Sequence, residues 1–214
     1  MHATRLLAIR HGETAWNVDT RIQGHLDIPL NATGLQQARW LAQTLAERDK
    51  VHAIYASDLS RAHQTARAVA NALGLDVTAH PGLRERAFGD FQGRTFAEIE
   101  AELPEHALHW RKRTPEWAPP GAGESLLALR DRVLVTVNAL AARHVGEQIV
   151  LVAHGGVMDV LYRAATRLDL QAPRTWQLPN TAVNRLLWTP DGLSLVGGAD
   201  TTHLEGRWRD ETTG

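Results

Sequence analysis

The chain predicts an α/β protein in three layers, with helices covering both faces of a mostly parallel, six-stranded sheet. Three observations carry this. Short apolar runs bounded by glycine or polar turns stand at residues 6–10, 51–56, 77–79 and 149–153, as buried strands do. Between them lie longer stretches with apolar side chains at helical spacing. The resulting order is β, α, β, α, β, an irregular helical insert, α, β, α, β, β, and alternation of this kind implies parallel strands joined by crossover helices.

The first strand, residues 6–10, runs into His11-Gly12, then Glu13-Thr14-Ala15-Trp16-Asn17 and a polar loop that ends at Gln23-Gly24. Asn31-Ala32-Thr33-Gly34 offers caps for a helix over about 34–48, whose apolar face is Leu35, Ala38, Leu41, Ala42 and Leu45. The second strand, 51–56, leads to a helix that Asp58 or Ser60 can cap; Ala62, Thr65, Ala66, Val69, Ala70 and Leu73 form its face, and Gly74 ends it. After strand 77–79 comes a glycine-punctuated loop of charged and aromatic residues from Leu83 to Gly93. Residues 96–103 and 105–113 predict two short helices around Pro104, and the prolines between Pro115 and Gly121 exclude regular structure. Ser125 caps a long helix carrying Leu126, Leu129, Val133, Val137, Leu140 and Ala141. Strand 149–153 and helix 157–166 follow, and then a hairpin of 184–188 and 193–196 around Pro190-Asp191-Gly192. No linker or repeat divides the chain, so residues 1–202 are expected to form one domain with a helical insert at about 94–122, and 203–214 a polar tail.

Composition narrows the function. The 214 residues hold 23 Lys and Arg against 24 Asp and Glu, which lacks the basic excess of a general polyanion binder, so no nucleic-acid partner is expected. The absence of cysteine excludes disulfides, thiolate metal sites and a cysteine nucleophile. Residues 1–10 lack the apolar core of a secretion signal, and no apolar run approaches the ~18 residues of a membrane span. A soluble, cytoplasmic protein is expected, as a monomer or a homodimer.

The chemistry gathers at strand ends. His11 and His154 each follow a buried strand and precede glycine, and ligands of open α/β sheets bind at the carboxyl ends of the strands. Arg10, Arg61 at a helix start and Glu85 join them. Two histidines and two arginines call for an anion, and a tetrahedral phosphate suits the planar fork of arginine. Helix starts after Gly12 and Gly155 add backbone donors. One imidazole can attack phosphorus while the other donates to its equatorial oxygens. Glu85, kept protonated beside a phosphate dianion, is the candidate acid for the leaving alkoxide.

The run Leu7-Ala8-Ile9-Arg10-His11-Gly12-Glu13-Thr14-Ala15-Trp16-Asn17 resembles the signature of the histidine phosphatase superfamily, which includes the cofactor-dependent phosphoglycerate mutases. The resemblance extends through Ser57-Asp58-Leu59-Ser60-Arg61-Ala62-His63-Gln64-Thr65-Ala66, Leu83-Arg84-Glu85 with Phe88-Gly89 and Gln92-Gly93, Gly123-Glu124-Ser125, and Val152-Ala153-His154-Gly155-Gly156, over about residues 5–200. It implies a mixed sheet with an antiparallel edge strand, a phosphohistidine on His11, a phosphate pocket of Arg10, Arg61 and His154, and a proton donor at Glu85. It further implies phosphate contacts from Asn17, Gln23-Gly24 and Gly155. No metal is needed in that family.

The same first half-reaction serves a phosphatase, if water attacks the phosphohistidine, or a mutase, if a second hydroxyl does. The stretch from Glu85 to His154 is short beside the insert of the mutases, Arg94-Thr95-Phe96 lacks their lysine, and Arg111 and Arg113 only approximate their carboxylate-binding pair. The expected activity is therefore hydrolysis of a small phosphorylated metabolite without a cofactor. Phosphoglycerate mutase, with 2,3-bisphosphoglycerate as primer, is the alternative, and a silent phospho-ligand-binding relative is a third reading. Trp110 and Trp117 are candidates for the substrate entrance, while His25, His63, His80, His106, His109 and His144 carry no motif and read as solvated.

Overall fold

The computed structural model describes residues 3–205. Six strands form one sheet: β1 (Thr4–Arg10), β2 (Ala53–Ala56), β3 (Val77–Ala79), β4 (Gln148–Ala153), β5 (Val183–Thr189) and β6 (Gly192–Asp200). Their order is β3-β2-β4-β1-β5-β6. The β3-β2-β4-β1 pairings are parallel, and the β1–β5 and β5–β6 pairings antiparallel. The antiparallel side is thus the terminal hairpin, laid against β1.

The central strand β4 is buried along its whole length, which is why it reads as an unbroken apolar run rather than an alternation. Its side chains and those of β1 divide between two cores. Leu7, Ile9, Val150 and Val152 pack with Leu41, Leu45, Ala66 and Val69 of helices α2 (Ala32–Arg48) and α3 (Ser60–Leu73), which follow the single turn α1 (Ala15–Val18). Leu6, Ala8, Ile149 and Leu151 face Leu129, Val133, Val157 and Leu161 of α6 (Leu126–Ala141) and α7 (Gly155–Thr166) on the other side. Between α3 and α6 the insert folds as α4 (Phe96–Glu102) and α5 (Pro104–Arg111), around its own small core of Phe91, Ile99 and Ala107.

Caps differ from the sequence reading at one helix. Asn31 and Ser125 cap α2 and α6 as expected. At α3, however, Leu59 occupies the cap position without a side-chain bond. Asp58 pairs instead with Arg84 at 2.7 and 2.6 Å. The cap comes from a distance: Asp27 accepts from both the backbone N–H and the hydroxyl of Ser60, each at 2.7 Å. Several histidines read as solvated also have partners. The imidazole of His80 accepts from Gly82 N–H, and His144 bonds Glu147 and Tyr55. At the far end, His203, the first residue assigned to the polar tail, is buried and lies 3.0 Å from Thr181 Oγ1; residues 206–214 lie outside the described residues. Among the described residues no helix is long and apolar enough to cross a membrane.

Candidate active site

Register places the two histidines side by side. Arg10 pairs with Ala153 across the β1–β4 ladder, and the His11 N–H donates to the Ala153 carbonyl at 3.0 Å. The next residues on both strands, His11 and His154, therefore leave the sheet together. Their ring centroids stand 5.3 Å apart with planes tilted by 57°. His11 is 3 % exposed and His154 fully buried.

A cavity of about 170 Å³ opens over His11, and seven of the nine predicted site residues line it: Arg10, His11, Asn17, Gln23, Gly24, Arg61 and Glu85. Gly155 lines a second chamber of about 510 Å³ that shares Arg10 and Glu85 with the first. His154 lies against His11. The sequence-predicted set is thus brought to one place.

The protonation of His11 follows from its contacts. Nδ1 lies 2.7 Å from the Gly12 carbonyl, an acceptor only, so Nδ1 carries the proton and donates it. Nε2 then keeps its lone pair. Burial, and then the charges of Arg10 and Arg61, hold the imidazole well below the ordinary histidine value. His154 is held down in the same way, by burial first and then by Arg61, His11 and Arg10, and neither of its ring nitrogens has a hydrogen-bond partner in the protein. Both rings are neutral bases at neutral pH.

The cations are clamped by carbonyls. Arg61, 1 % exposed, donates from Nη2 to Gly24 at 2.8 Å and from Nη1 to Leu26 at 2.9 Å. Burial pushes it down to about 10, so it remains charged. Arg10 donates from Nη1 to the Leu178 carbonyl. The Nε–H groups of both arginines are buried and unpartnered, an arrangement that is costly without an anion. Asn17 closes a capping box with Thr14, its Oδ1 accepting from Thr14 N–H at 3.1 Å. That bond orients the amide so that its Nδ2 donors stay free of the cap. Gln23 is fixed through Thr14 Oγ1 at 3.0 Å. Gly24, at φ +53°, sits where a Cβ would come within 2.2 Å of Gln92 Oε1, so a larger residue here is strained and would displace the Gln92 side chain.

Glu85 accepts from the backbone N–H of Arg86 at 2.8 Å and from that of Gly156 at 3.1 Å. Its own carbonyl is bound by His25 Nε2 at 2.7 Å and by Arg132 Nη2 at 3.2 Å. Arg132 is in turn held by both oxygens of Glu124, at 2.8 and 2.7 Å. His25, expected to be solvated, is thus a support of Glu85; its imidazole reaches the site because the 24–27 loop folds over it.

Other supports were not singled out from sequence. Thr65 accepts from Gly12 N–H at 3.0 Å and donates to Arg61 O at 2.8 Å, linking both motifs. Asn180 donates to the His11 carbonyl at 2.9 Å. Leu178 and Asn180 sit in an irregular loop with no periodicity to mark them. Trp110 does line both cavities, stacked on Phe88 at 5.0 Å; Trp117 stands behind, stacked on His109. Among the described residues no group of three or more His, Asp or Glu has the arrangement of a metal site.

Such a pocket defines a class by itself: an α/β protein that sets two buried arginines with unpartnered Nε–H donors beside a neutral imidazole, an arrangement suited to phosphoryl transfer. Residues 6–201 match the model of the histidine phosphatase superfamily (branch 1), and the chain belongs to that superfamily. It is 39 % identical over 202 residues to phosphoglycerate mutase-like protein 4 of Arabidopsis thaliana, covering 94 % of this chain and 86 % of that protein. It is 34 % identical to a metal-independent phosphoserine phosphatase of the same plant, over 94 % of this chain and 83 % of the relative. The solved structure of a mycobacterial glucosyl-3-phosphoglycerate phosphatase with VO3 superposes with a TM-score of 0.81 at 35 % identity, covering 90 % of this chain and 97 % of that one.

Proposed function

We propose that this protein is a metal-independent phosphatase that hydrolyses a small phosphomonoester through a phosphohistidine on Nε2 of His11. The observation that carries the proposal is the Nδ1–Gly12 bond, which leaves a neutral Nε2 lone pair facing a small cavity with two buried arginines. The names of the relatives support hydrolysis, and one of them is called metal-independent.

The phosphoryl group occupies the inner cavity. Arg10, Arg61, the Asn17 amide and the Gly155 helix start hold its oxygens, with Gln23-Gly24 as the far wall. His11 Nε2 attacks phosphorus as the bond to the ester oxygen breaks in line. Glu85 gives its proton to the departing alkoxide. The positive charge left on the His11 ring is met at Nδ1–H by the Gly12 carbonyl, while His154, a neutral donor, steadies the equatorial oxygens. In the second half, the Glu85 carboxylate takes a proton from water as that water attacks phosphorus. The P–N bond breaks, inorganic phosphate leaves, and His11 and Glu85 return to their starting states. We assign residues 1–202 to one catalytic domain working in the cytoplasm on a small phosphorylated metabolite.

The outer chamber of about 510 Å³ is far larger than a three-carbon acid, so water shares it with the leaving group, which favours hydrolysis over mutase transfer. Arg94, in the stretch where the mutases carry a lysine, is turned to Glu102 at the surface. The test is turnover of p-nitrophenyl phosphate, and of 3-phosphoglycerate with its bisphosphorylated primer, in the presence of chelator. Phosphate release that persists with chelator and vanishes in His11→Ala is expected. Loss of activity on chelation, or formation of 2-phosphoglycerate at a rate exceeding phosphate release, contradicts the proposal.

A further inference from the structure

A second cavity, of about 500 Å³, lies between α6 and α7, and none of the residues lining it lines either chamber of the candidate active site. Its size is that of a small-molecule pocket. Leu127 and Leu134 of α6 and Val160 of α7 line it at helical spacing, and Leu168 and Leu170 close it from the segment after α7. Leu168 is 41 % exposed on this lip, so the apolar lining is left open to water rather than covered by the fold.

The polar groups around these leucines carry an excess of positive charge. Arg130, Arg163 and Arg167 stand against Glu116 and Asp169, three cations to two anions. Arg130 is engaged by the neighbouring Asp131 at 2.7 Å. Arg163 is 2 % exposed. Its Nε donates to Asp159 at 2.9 Å and its Nη1 to the Asp169 carbonyl, while its Nη2 is buried without a hydrogen-bond partner. Asp159 is no private counterion, because the same carboxylate oxygen accepts from Arg113 at 2.7 Å. Burial holds Arg113 below the ordinary arginine value; Asp159 opposes this, and the charges of Arg163 and Arg174 add to it. One face of the Arg163 guanidinium is covered by Trp176, 4.7 Å away. Arg167 ends α7 at φ +57°, where glycine is the usual residue, and its guanidinium makes no hydrogen bond or ion pair among the described residues. Glu116 and Asp169 are both exposed, where water screens them. A buried guanidinium N–H without an acceptor is costly, and so is an apolar lining left in water. One kind of ligand relieves both.

We propose that this cavity is a second ligand site, separate from the catalytic pocket, for a small apolar carboxylate whose hydrocarbon lies against the leucines between α6 and α7 and whose charge is held by Arg163 and Arg167. A single charge fits the excess of one; the second charge of a phosphate ester would meet Glu116 and Asp169. The site goes beyond the phosphatase reading and does not depend on it.

Binding to the intact protein tests this without turnover. Hexanoate, octanoate and 4-phenylbutyrate are titrated by calorimetry beside their uncharged amides and beside acetate, with the catalytic pocket held by saturating inorganic phosphate. At least one of the longer acids binds saturably at one site, about fivefold or more tightly than its amide, as a charge-assisted bond to arginine implies, and more tightly than acetate, which lacks the apolar body. Arg167→Gln, at an exposed position, lowers that affinity about fivefold, and Arg167→Lys restores part of it. Ala164→Trp, which fills the cavity from α7, abolishes binding. Arg163→Gln weakens binding as well if it folds. Hydrolysis of p-nitrophenyl phosphate by Arg167→Gln stays at the level of the unaltered protein. No saturable binding by any of the acids, equal affinity for the amides, competition by inorganic phosphate, or binding that survives both Arg167→Gln and Ala164→Trp overturns the inference. Failure of the intact protein to hydrolyse p-nitrophenyl phosphate overturns the phosphatase reading alone, since the titration stands without it.

Discussion

Both carboxylate oxygens of Glu85 lie 3.1 Å from the backbone N–H of Gly156, the second residue of the helix that follows His154. The candidate acid and the second histidine are thereby tied to one helix start, although 69 residues separate Glu85 from His154. The tie needs glycine: a Cβ at position 156 would fall 2.2 Å from Glu85 Oε1. Gly156→Ala is therefore expected to push the carboxylate aside. Turnover of alkyl phosphates, whose leaving group needs a proton, should fall about tenfold to a hundredfold. p-Nitrophenyl phosphate, with a leaving group that needs little help, should lose much less. An equal loss on both substrates would place the defect elsewhere.

The pH dependence of stability reports the buried imidazoles. His11 and His154 are held well below the ordinary value, by burial first. Unfolded, each takes up a proton below about pH 6.5; folded, each stays neutral to lower pH. Below 6.5 the unfolded chain binds more protons, so stability falls with falling pH, by up to about 1.4 kcal/mol per pH unit for each histidine. Above 6.5 the two contribute no slope. Denaturant melts between pH 5 and 8 should show this, and His154→Leu should remove a large part of the acid slope. An unchanged slope in the variant would contradict the assignment.

The cap supplied by Asp27 couples a surface residue to Arg61. Asp27→Ala removes both bonds to Ser60 and should cost about 1 kcal/mol, as lost N-caps do. Because Arg61 grips the carbonyls of Gly24 and Leu26 in the same loop, KM for phosphomonoesters should rise as well. Steady-state kinetics beside a melting curve separates the two effects.

Gly34 lets α2 approach the catalytic loop: a Cβ there would sit 2.1 Å from the Glu13 carbonyl, and one at Gly12 2.6 Å from the Gly34 carbonyl. Both obstacles are backbone, which has little room to yield. Gly34→Ala should cost about 1–3 kcal/mol and lower activity by displacing His11-Gly12, which a chemical melt and an assay on the same preparation would check.

Much of the sheet, and most of the residues that gather at the candidate site, are legible in the sequence for local reasons. Residues 6–10 and 149–153 are apolar throughout because β1 and β4 are central and covered on both faces, and that burial leaves its mark within a few residues. The meeting of His11 with His154 then follows from a register, Arg10 with Ala153, that two such runs ending in His-Gly make natural. What stayed hidden depends on distant chain. The cap of α3 comes from Asp27, which no periodicity connects to Ser60. His25 bonds Glu85 only because of how its loop folds. Arg86 stands next to Glu85 in the sequence, but its burial is set by Trp117 and Glu124. The loop bearing Arg174, Leu178 and Asn180 has neither an apolar period nor a motif, and its role is visible only in space.

Trapping the intermediate tests the central claim most directly. Rapid acid-free quench during turnover of a phosphomonoester, followed by peptide mass spectrometry and ³¹P NMR, should find one phosphoryl group on His11, bonded through Nε2 and labile to acid but not to base. His11→Ala should carry none. A phosphoryl group on any other residue, one on Nδ1 of His11, or steady turnover with none accumulating in Glu85→Gln acting on p-nitrophenyl phosphate, where formation needs little proton donation but water attack is slowed, would contradict the account.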